Sequence, residues 1–336
     1  MSVNALELDV VIETYPLKKP FRITGHTQLT AEVVVVNLNR EGVTGRGEAS
    51  GVYYRECEDI PHILKKIEGV RQQIESGISR AALQRLLPAG GARNAIDCAL
   101  WDLDAKQLRV PAWRIAGLQE PRPLLTTFTC PAAEPTEMAS AAIGYAHAKA
   151  IKLKLTGESV DAERVRAVRS ARPDVWLSVD ANQGFTPDSL RLLIPVLVEA
   201  KVQLIEQPFE IGQDALLDDL NSPIPLAADE SVQTVSDLAA QVGRVNVVNI
   251  KLDKCGGLTE ALAMAREARR LGLQVMVGNM IGTSLAMAPS LIVGQLCQVV
   301  DLDGPVFLRS DREPAVNYQS GMISCPNNVW GNPNRA

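Results

Sequence analysis

The stretch Ile151-Lys152-Leu153-Lys154-Leu155 decides the fold of this chain. Hydrophobic residues alternate with two lysines, and this period of two predicts a β-strand with both ammonium groups on one face. Two like charges on a buried strand face are costly unless a site requires them. The stretch is therefore either an edge strand with a solvated lysine face or a strand whose lysines point into a functional site.

The chain around this strand repeats a pattern of short hydrophobic segments, about every 25 residues from Leu124 onward, with amphipathic segments between them, which is typical of parallel βαβ units. The predicted strands are 126–129, 151–155, 177–181, 203–207, 226–229, 247–252, 274–278 and 298–302. The predicted helices between them include 159–170, 187–200, 258–271 and 284–295. Eight strands with seven intervening helices predict an α/β fold, a (β/α)7β modified TIM barrel. The first strand is not followed by Gly-x-Gly-x-x-Gly, which disfavours a dinucleotide-binding sheet.

The part of the chain before this repeat has a different pattern. β-rich runs at 10–14, 30–38 and 43–48 predict an antiparallel sheet, with polar loops at 22–28 and 51–58. Helical periodicity follows at 55–75 and 92–108, and a short β-like segment occurs at 315–318. We expect residues 1–110 to form an α+β capping domain, completed by roughly 305–336, and residues 111–304 to form the barrel.

Composition excludes several classes of function. The chain has 34 basic and 39 acidic residues and a net charge of -5, which argues against a nucleic-acid surface. The uncharged segment 271–300 is long enough for a membrane span, but Asn279, Pro289 and Gln295 interrupt it, so a buried strand, helix and strand is expected. The N-terminal sequence does not resemble a secretion signal. The six cysteines form no Cys-x-x-Cys pair, so we expect free thiols in the cytoplasm and no zinc.

Polar residues follow the predicted barrel strands, at the end where active sites of such barrels lie. From the second strand to the eighth they are Lys152 and Lys154; Asp180 and Asn182; Glu206; Asp229 and Glu230; Lys251 and Asp253; and Asp301 and Asp303. A single aspartate at such a place commonly caps the next helix, and a single lysine is commonly solvated. Three consecutive strands that end in carboxylates, flanked by strands that end in lysines, instead favour a site.

The three central carboxylates, Asp180, Glu206 and Asp229, would repel one another at one depth of the barrel unless a cation neutralised them. Oxygen ligands without histidine or cysteine suit a hard divalent ion. We therefore expect one Mg²⁺ per subunit, with Mn²⁺ as the second choice. Three protein ligands leave positions on the ion for water and substrate oxygens.

The lysines are expected on opposite sides of that ion, because the second and sixth strands of an eight-stranded barrel face each other. A substrate carboxylate bound at the metal would then present its α-carbon between Lys154 and Lys251. One amine can remove the α-proton while the other delivers a proton to the opposite face, which is 1,1-proton transfer. The metal and a neighbouring lysine would stabilise the enediolate. The pattern thus predicts racemisation or epimerisation.

Five motifs resemble the muconate-lactonising subgroup of the enolase superfamily. They are Lys152-Leu153-Lys154, Val179-Asp180-Ala181-Asn182, Ile205-Glu206-Gln207-Pro208, Ala228-Asp229-Glu230-Ser231 and the segment 249–258, NIKLDKCGGL. The resemblance implies metal ligation by Asp180, Glu206 and Asp229, with Lys154 and Lys251 as acid/base catalysts and Lys152 at the substrate carboxylate. It places Asn182, Glu230 and Asp253 around these groups. The mandelate-racemase branch uses a histidine on the seventh strand, whereas the histidines here are His26, His62 and His147, so that branch is disfavoured.

The eighth strand carries the feature that bears on the substrate, Asp301-Leu302-Asp303. These carboxylates either form a turn or helix cap near Gly304-Pro305 or hold a cationic group far from the metal. A carboxylate at the metal and an ammonium at a distance describe a dipeptide. The motif is similar to that of dipeptide epimerases, which implies L-Ala-D/L-Glu of murein peptide metabolism as the leading substrate. Arg22 and Arg55 are the candidates for binding an acidic side chain, or else are solvated loop residues.

Other functions stay open from the sequence alone. An N-acylamino-acid racemase, an o-succinylbenzoate synthase or a muconate cycloisomerase of the same superfamily would need no ammonium anchor. A Schiff-base enzyme using Lys251 belongs to another class and leaves the three carboxylates unexplained. A non-catalytic barrel would be expected to have lost at least one of the six central lysines and carboxylates, and all six are present. The expected partners are a small dipeptide and further copies of the chain, with no nucleic acid and no membrane.

Overall fold

The computed structural model describes residues 5–333. Three long strands, β1 (Glu7–Ile23), β2 (His26–Arg40) and β3 (Val43–Ser50), form an antiparallel sheet in the order β1-β2-β3. The stretch 22–28, expected to be a polar loop, is mostly the tip of the β1–β2 hairpin, with Arg22 paired to Thr27. Gly25 has a positive φ of 68°, and a glycine in this conformation allows a tight turn between strands.

Helices cover one face of this sheet. They are α1 (Ile60–Gly69), α2 (Arg71–Glu75), α3 (Arg80–Leu86) and α4 (Gly91–Leu108), and the short α5 (Ala112–Ile115) follows and packs against α4. The single helix expected over 55–75 is two helices, because Val70 leaves the helical conformation at φ -121° and ψ 10°. The long helix predicted at 92–108 agrees with α4 to within one residue. This helix is buried between the sheet and the barrel, since Ala95 and Ala99 pack in the sheet-side core and Trp101 in the barrel core.

The barrel has eight parallel strands in sequential order, which confirms the fold class predicted from the sequence. They are β5 (Phe128–Cys130), β6 (Ala150–Lys154), β7 (Trp176–Asp180), β8 (Leu204–Glu206), β9 (Leu226–Ala228), β10 (Val247–Ile250), β11 (Gln274–Val277) and β12 (Val299–Val300). The two ends of the sheet meet where Thr127 N donates to Val300 O at 3.0 Å and Leu302 N donates to Thr126 Oγ1 at 3.0 Å. The barrel is therefore nearly closed.

Helices connect most of the barrel strands. They are α6 (Pro135–Gly144), α7 (Asp161–Ala171), α8 (Pro187–Glu199), the short α9 (Leu252–Cys255), α10 (Leu258–Arg270) and α11 (Ser284–Gly294). Only 3₁₀ turns, Asp214–Leu217 and Val235–Gln241, follow β8 and β9, where full helices were expected. Within residues 5–333, no helix combines the length and hydrophobicity that crossing a membrane requires.

The C-terminal segment contacts both parts of the molecule. Its strands β13 (Asn317–Gln319) and β14 (Met322–Ser324) form a small sheet with β4 (Leu124–Leu125), next to the barrel. On the other side, Trp330 Nε1 donates to Arg46 O at 2.8 Å. The expected domain limits, 1–110 with 305–336 and 111–304, stay a prediction.

Candidate active site

Three carboxylates converge at the C-terminal ends of neighbouring barrel strands. Asp180 is the last residue of β7, Glu206 is the last residue of β8, and Asp229 directly follows β9. All three side chains are fully buried, and one oxygen from each lies within 4.8 Å of the others. The parallel register places them at one depth, since Asp180 pairs with Glu206 across β7 and β8.

Each of these carboxylates has one oxygen held by a donor beside the strand ends and a second, inward oxygen that lies within 2.9 Å of the ammonium group of Lys152 or Lys251. The held oxygens are Asp180 Oδ1, bonded by Asn182 N at 2.8 Å; Glu206 Oε1, bonded by Asn249 Nδ2 at 2.8 Å; and Asp229 Oδ1, bonded by Lys254 Nζ at 2.6 Å. The inward oxygens are thereby oriented toward a common point. Such outer hydrogen bonds fix ligand orientation at metal sites.

The inward oxygens fit a hard divalent cation. Glu206 Oε2 is buried and accepts no hydrogen bond from residues 5–333, although Lys152 Nζ lies 2.8 Å away. The lysine compensates part of the charge of this oxygen, which keeps unused capacity to accept a hydrogen bond or to bind a cation. Burial and then Asp180 raise the pKa of Glu206 to about 8. A cation held by three carboxylates would satisfy this oxygen and stabilise its ionised form.

The lysines lie against the same carboxylates. Lys154 Nζ is 2.6 Å from Asp180 Oδ2, and Lys251 Nζ is 2.5 Å from Asp229 Oδ2. Lys154 ends β6 and Lys251 follows β10, so the two amines approach from strands four apart in the barrel order. Burial lowers the pKa of Lys251, but Asp229, Glu206 and Glu230 together outweigh this effect and the net shift is upward.

Lys152 lies deeper in the barrel and contacts both the carboxylates of the candidate metal site and Asp301. Its Nζ is 2.9 Å from Asp180 Oδ2 and 2.9 Å from Asp301 Oδ2, and its side chain is 1% exposed. Burial would raise the pKa of Asp180, but Lys152 and Lys154 lower it to about 2. Asp180 is thus ionised at neutral pH.

The two aspartates after β12 have different environments. Asp301 accepts from Lys152 Nζ and from the Thr127 hydroxyl, and its pKa is lowered, because these donors outweigh burial. Asp303 Oδ2 accepts from Thr129 N at 2.6 Å, and burial together with Asp301 raises the pKa of Asp303 to about 7. Asp301 is therefore already neutralised by the protein, whereas Asp303 lacks a cationic partner among the contacts of residues 5–333.

A cavity of about 590 Å³, including the space open to solvent, lies above these groups. Its charged lining consists of Lys152, Lys154, Lys251, Asp301 and Asp303. Its roof is largely hydrophobic and aromatic and comes from the β1–β2 hairpin, the segment 51–58 and the loops after β11 and β12. It includes Ile23, His26, Tyr53, Tyr54, Ile281 and Phe307. The ring of His26 stacks on Tyr53 with centroids 4.6 Å apart.

The two arginines considered for substrate binding lie elsewhere. Arg22 is exposed, and because Phe21 and Ile23 line the cavity, strand alternation directs Arg22 away from it. Arg55 donates to Lys254 O at 3.0 Å and to Ala89 O at 3.2 Å. Neither belongs to the cavity lining found among residues 5–333, so their role in binding stays a prediction.

Of the residues expected around the metal ligands, Asn182 and Glu230 lie beside the carboxylates, whereas Asp253 has other partners. Asn182 Nδ2 donates to Glu230 Oε1 at 3.1 Å, which keeps both side chains beside the carboxylates. Asp253 instead accepts from Ser50 N and Asn94 Nδ2, each at 2.9 Å. Asp253 thus joins the barrel to β3 and α4.

Lys254 and Asn249 also belong to the site, although the sequence analysis did not single them out. Lys254 is fully buried, and it donates to Asp229 Oδ1, to Asp229 O at 2.5 Å and to Asn249 O at 2.9 Å. Asn249 could have been found from its spacing, because a residue two before Lys251 on the same strand has the same orientation. Lys254 lies in α9, where the sequence pattern alone favours a solvated lysine.

Two family descriptions match nearly the whole chain. Residues 5–117 match "Mandelate racemase / muconate lactonizing enzyme, N-terminal domain", and residues 136–328 match "Enolase C-terminal domain-like". The chain belongs to the mandelate racemase/muconate lactonizing enzyme family of the enolase superfamily. The resemblance stated from the five motifs is thereby confirmed.

Individual family members are similar over almost their full length. The L-Ala-D/L-Glu epimerase of Escherichia coli is 42% identical over 93% of this chain and 97% of the relative. An N-acetyl-D-glutamate racemase from a Pseudoalteromonas species is 37% identical over 89% of this chain and 95% of the relative. Such relatives are epimerases and racemases, which supports an isomerase.

Solved structures show the same architecture. An enolase family member from Agrobacterium tumefaciens, with bound sodium and L-Ala-L-Glu, is 39% identical, with a TM-score of 0.94 over 97% of this chain and 100% of that one. A dipeptide epimerase from Enterococcus faecalis, complexed with Mg and L-Leu-L-Tyr, is 27% identical, with a TM-score of 0.90 over 97% and 98% of the two chains.

Proposed function

We propose that this family member is a Mg²⁺-dependent dipeptide epimerase that inverts the α-carbon of the C-terminal residue, with L-Ala-D/L-Glu as its leading substrate. The observation that carries the proposal is the placement of Lys154 and Lys251 on strands four apart, on either side of three buried carboxylates. A single amine cannot remove a proton from one face of a carbon and return one to the other.

The proton transfers belong to the two lysines. In one direction Lys154 removes the α-proton and Lys251 delivers a proton to the opposite face; in the other direction their roles exchange. Asp180, Glu206 and Asp229 would hold the ion through their inward oxygens. When bound, Mg²⁺ would neutralise the substrate carboxylate and stabilise the negative charge that develops there. Lys152 supplies a second positive charge at that carboxylate.

Asp303 is the better of the two ammonium anchors. Asp301 is paired with Lys152, whereas Asp303 lines the cavity and its described hydrogen-bond partner is the neutral residue Thr129. The α-ammonium of a dipeptide would pair with Asp303 as Lys152 pairs with Asp301, so each aspartate of the motif would have a cationic partner. This anchor favours a dipeptide over an N-acylated amino acid, which carries no ammonium.

The wider setting is also part of the proposal. We place the enzyme in the cytoplasm, in the metabolism of murein peptides, as a homo-oligomer with one ion per subunit and with Mn²⁺ as a substitute for Mg²⁺. The oxygen-only ligand set supports the choice of Mg²⁺ and Mn²⁺, and the dipeptide in the name of the Escherichia coli relative supports the link to murein peptides.

Solvent deuterium exchange tests the two-base mechanism. The protein with Mg²⁺ should incorporate deuterium at the C-terminal α-carbon of both L-Ala-L-Glu and L-Ala-D-Glu, and removing the ion with EDTA should stop this. Lys154→Ala should abolish exchange from one of these isomers and Lys251→Ala from the other. Exchange that survives loss of both lysines would refute the mechanism. Lys65→Ala, at an exposed position on α1, is the matched control.

Asp303→Asn separates the proposed substrate from the N-acyl alternative. The substitution should raise the KM for L-Ala-L-Glu at least ten-fold, since it removes the charge that faces the ammonium. N-acetyl-glutamate turnover that exceeds dipeptide turnover in the unmodified protein would favour the racemase instead.

A further inference from the structure

The tip of the β1–β2 hairpin is fastened to the mouth of the barrel at a single side chain, Thr24. Its hydroxyl lies 2.8 Å from Ala181 O and 3.1 Å from Leu155 O. These carbonyls belong to the residues directly after Asp180 and Lys154, respectively. One hydroxyl of the capping sheet therefore reaches the ends of two strands that carry the proposed chemistry.

The barrel leaves room for this contact. A Cβ added to Gly184 would lie 2.9 Å from both Thr24 Oγ1 and Ala181 O, so a side chain at that position would occupy the space in which these two atoms meet. A second bond, from Ala132 N to Arg22 O at 3.1 Å, joins the same tip to the loop after β5. The hairpin thus sits on three adjacent strand ends, and Thr24 supplies the only side-chain bond described between the segment 22–26 and the barrel.

The hairpin tip also forms part of the cavity roof. Ile23 and His26, on either side of the turn, line the cavity, and His26 stacks on Tyr53 of the segment 51–58. If the distance between the turn and the barrel mouth changes, Ile23 and His26 move relative to the lysines of the site. The position of the turn therefore controls the shape of the space above Lys154.

We infer that Thr24 is a positioning residue, whose hydroxyl holds the hairpin tip over the cavity by bonding the ends of the strands that carry Lys154 and Asp180. It acts through Ile23 and His26, which form the roof that the substrate meets. Only the kinetic part of the test below rests on the proposed epimerase function.

Thr24→Val removes the hydroxyl and keeps the shape of the side chain. Without substrate, backbone amides of residues 22–28 should exchange hydrogen about five-fold faster, the change expected for the loss of one neutral hydrogen bond. With L-Ala-L-Glu, the KM should rise by a similar factor while kcat changes less than two-fold, because the lysines and carboxylates stay in place. Thr24→Ser, which restores the hydroxyl, should return both values toward those of the unmodified protein.

Thr27→Val is the matched control, since Thr27 lies in the same hairpin and is exposed. It should change neither exchange nor KM. Unchanged exchange and KM in Thr24→Val would overturn the inference, as would failure of Thr24→Ser to restore them. If the unmodified protein does not epimerise dipeptides, the proposed function fails, and the exchange measurement still decides the role of Thr24.

Discussion

Asp301 and Asp303 share a motif, yet they have opposite electrostatic situations. Lys152 holds Asp301 ionised, while burial and the neighbouring Asp301 raise the pKa of Asp303 to about 7. Asp303 can bind an ammonium only when it is ionised. The protonation state of one carboxylate should therefore control substrate binding near neutral pH.

The KM for L-Ala-L-Glu should accordingly rise as the pH falls from 7.5 to 6, by up to about ten-fold per pH unit, because protonation removes the anion that faces the ammonium. The measurement is steady-state kinetics across this range. Asp303→Asn should have a high KM that is flat over the same range. A flat KM in the unmodified protein would contradict the role given to Asp303.

Lys254 should matter for stability as well as for the site. Its ammonium is fully buried and its three bonds go to Asp229 and Asn249. Lys254→Met leaves two carbonyls and one carboxylate oxygen without this donor, so it should lower the free energy of unfolding by about 3–5 kcal/mol. Urea denaturation followed by circular dichroism measures this loss. The exposed Lys65→Met should change it by less than about 0.5 kcal/mol.

For individual residues of the site, the sequence predicts which side chains lie close together but not which atoms form hydrogen bonds. Asp180, Glu206 and Asp229 were found because strand ends converge in a barrel, a property of topology. Lys254 was missed because turning a lysine inward depends on carbonyl groups brought together only by the fold. The separate environments of Asp301 and Asp303 likewise depend on Lys152 and Thr129, which lie more than a hundred residues away in the chain.

Among the elements, the strands were easier to predict than their connections. Hydrophobic alternation located β6 and β7 to within one residue. The segment 22–28 contains His26, Thr27 and Gln28 and looks like a loop, but its pairing with β1 makes it strand. Cross-strand pairing overrides local composition there.

The contact between β3 and α4 explains a further feature of the sequence, Gly45-Arg46-Gly47. A Cβ on Gly47 would lie 2.0 Å from Ala95 O, so strand and helix backbones touch where the glycine lacks a side chain. Gly47→Ala should therefore lower the melting temperature, with a loss of about 2–3 kcal/mol. Gly69→Ala, at the end of α1 with nothing within 4 Å of the added Cβ, should be neutral or slightly stabilising. Equal melting temperatures for the two variants would contradict this packing.

Across the whole molecule, buried polar groups join the capping sheet to the barrel. Glu48 of β3 accepts from Thr283 N at 2.7 Å and from Arg312 Nε at 3.2 Å, and Arg312 also pairs with Glu13 at 2.6 Å. The C-terminal segment thus supplies the cation for a carboxylate of the N-terminal sheet. The sequence predicts that the chain returns to the N-terminal domain, but it does not identify Arg312, because this residue differs from other arginines only by its position in the fold.

Arg312→Met should weaken this junction strongly. Glu48 is fully buried, and burial raises its pKa even with Arg312 present, so removing the guanidinium leaves an unpaired buried charge. We expect a loss of about 3 kcal/mol at pH 8, measured by chemical denaturation. The loss should shrink as the pH falls, because a protonated Glu48 needs no cation, so the variant should be closer in stability to the unmodified protein in acid than in base. Arg191→Met, which removes a surface pair with Asp188, should cost less than about 1 kcal/mol at either pH. A loss independent of pH would show that Arg312 stabilises the junction through packing, and that its charge contributes little.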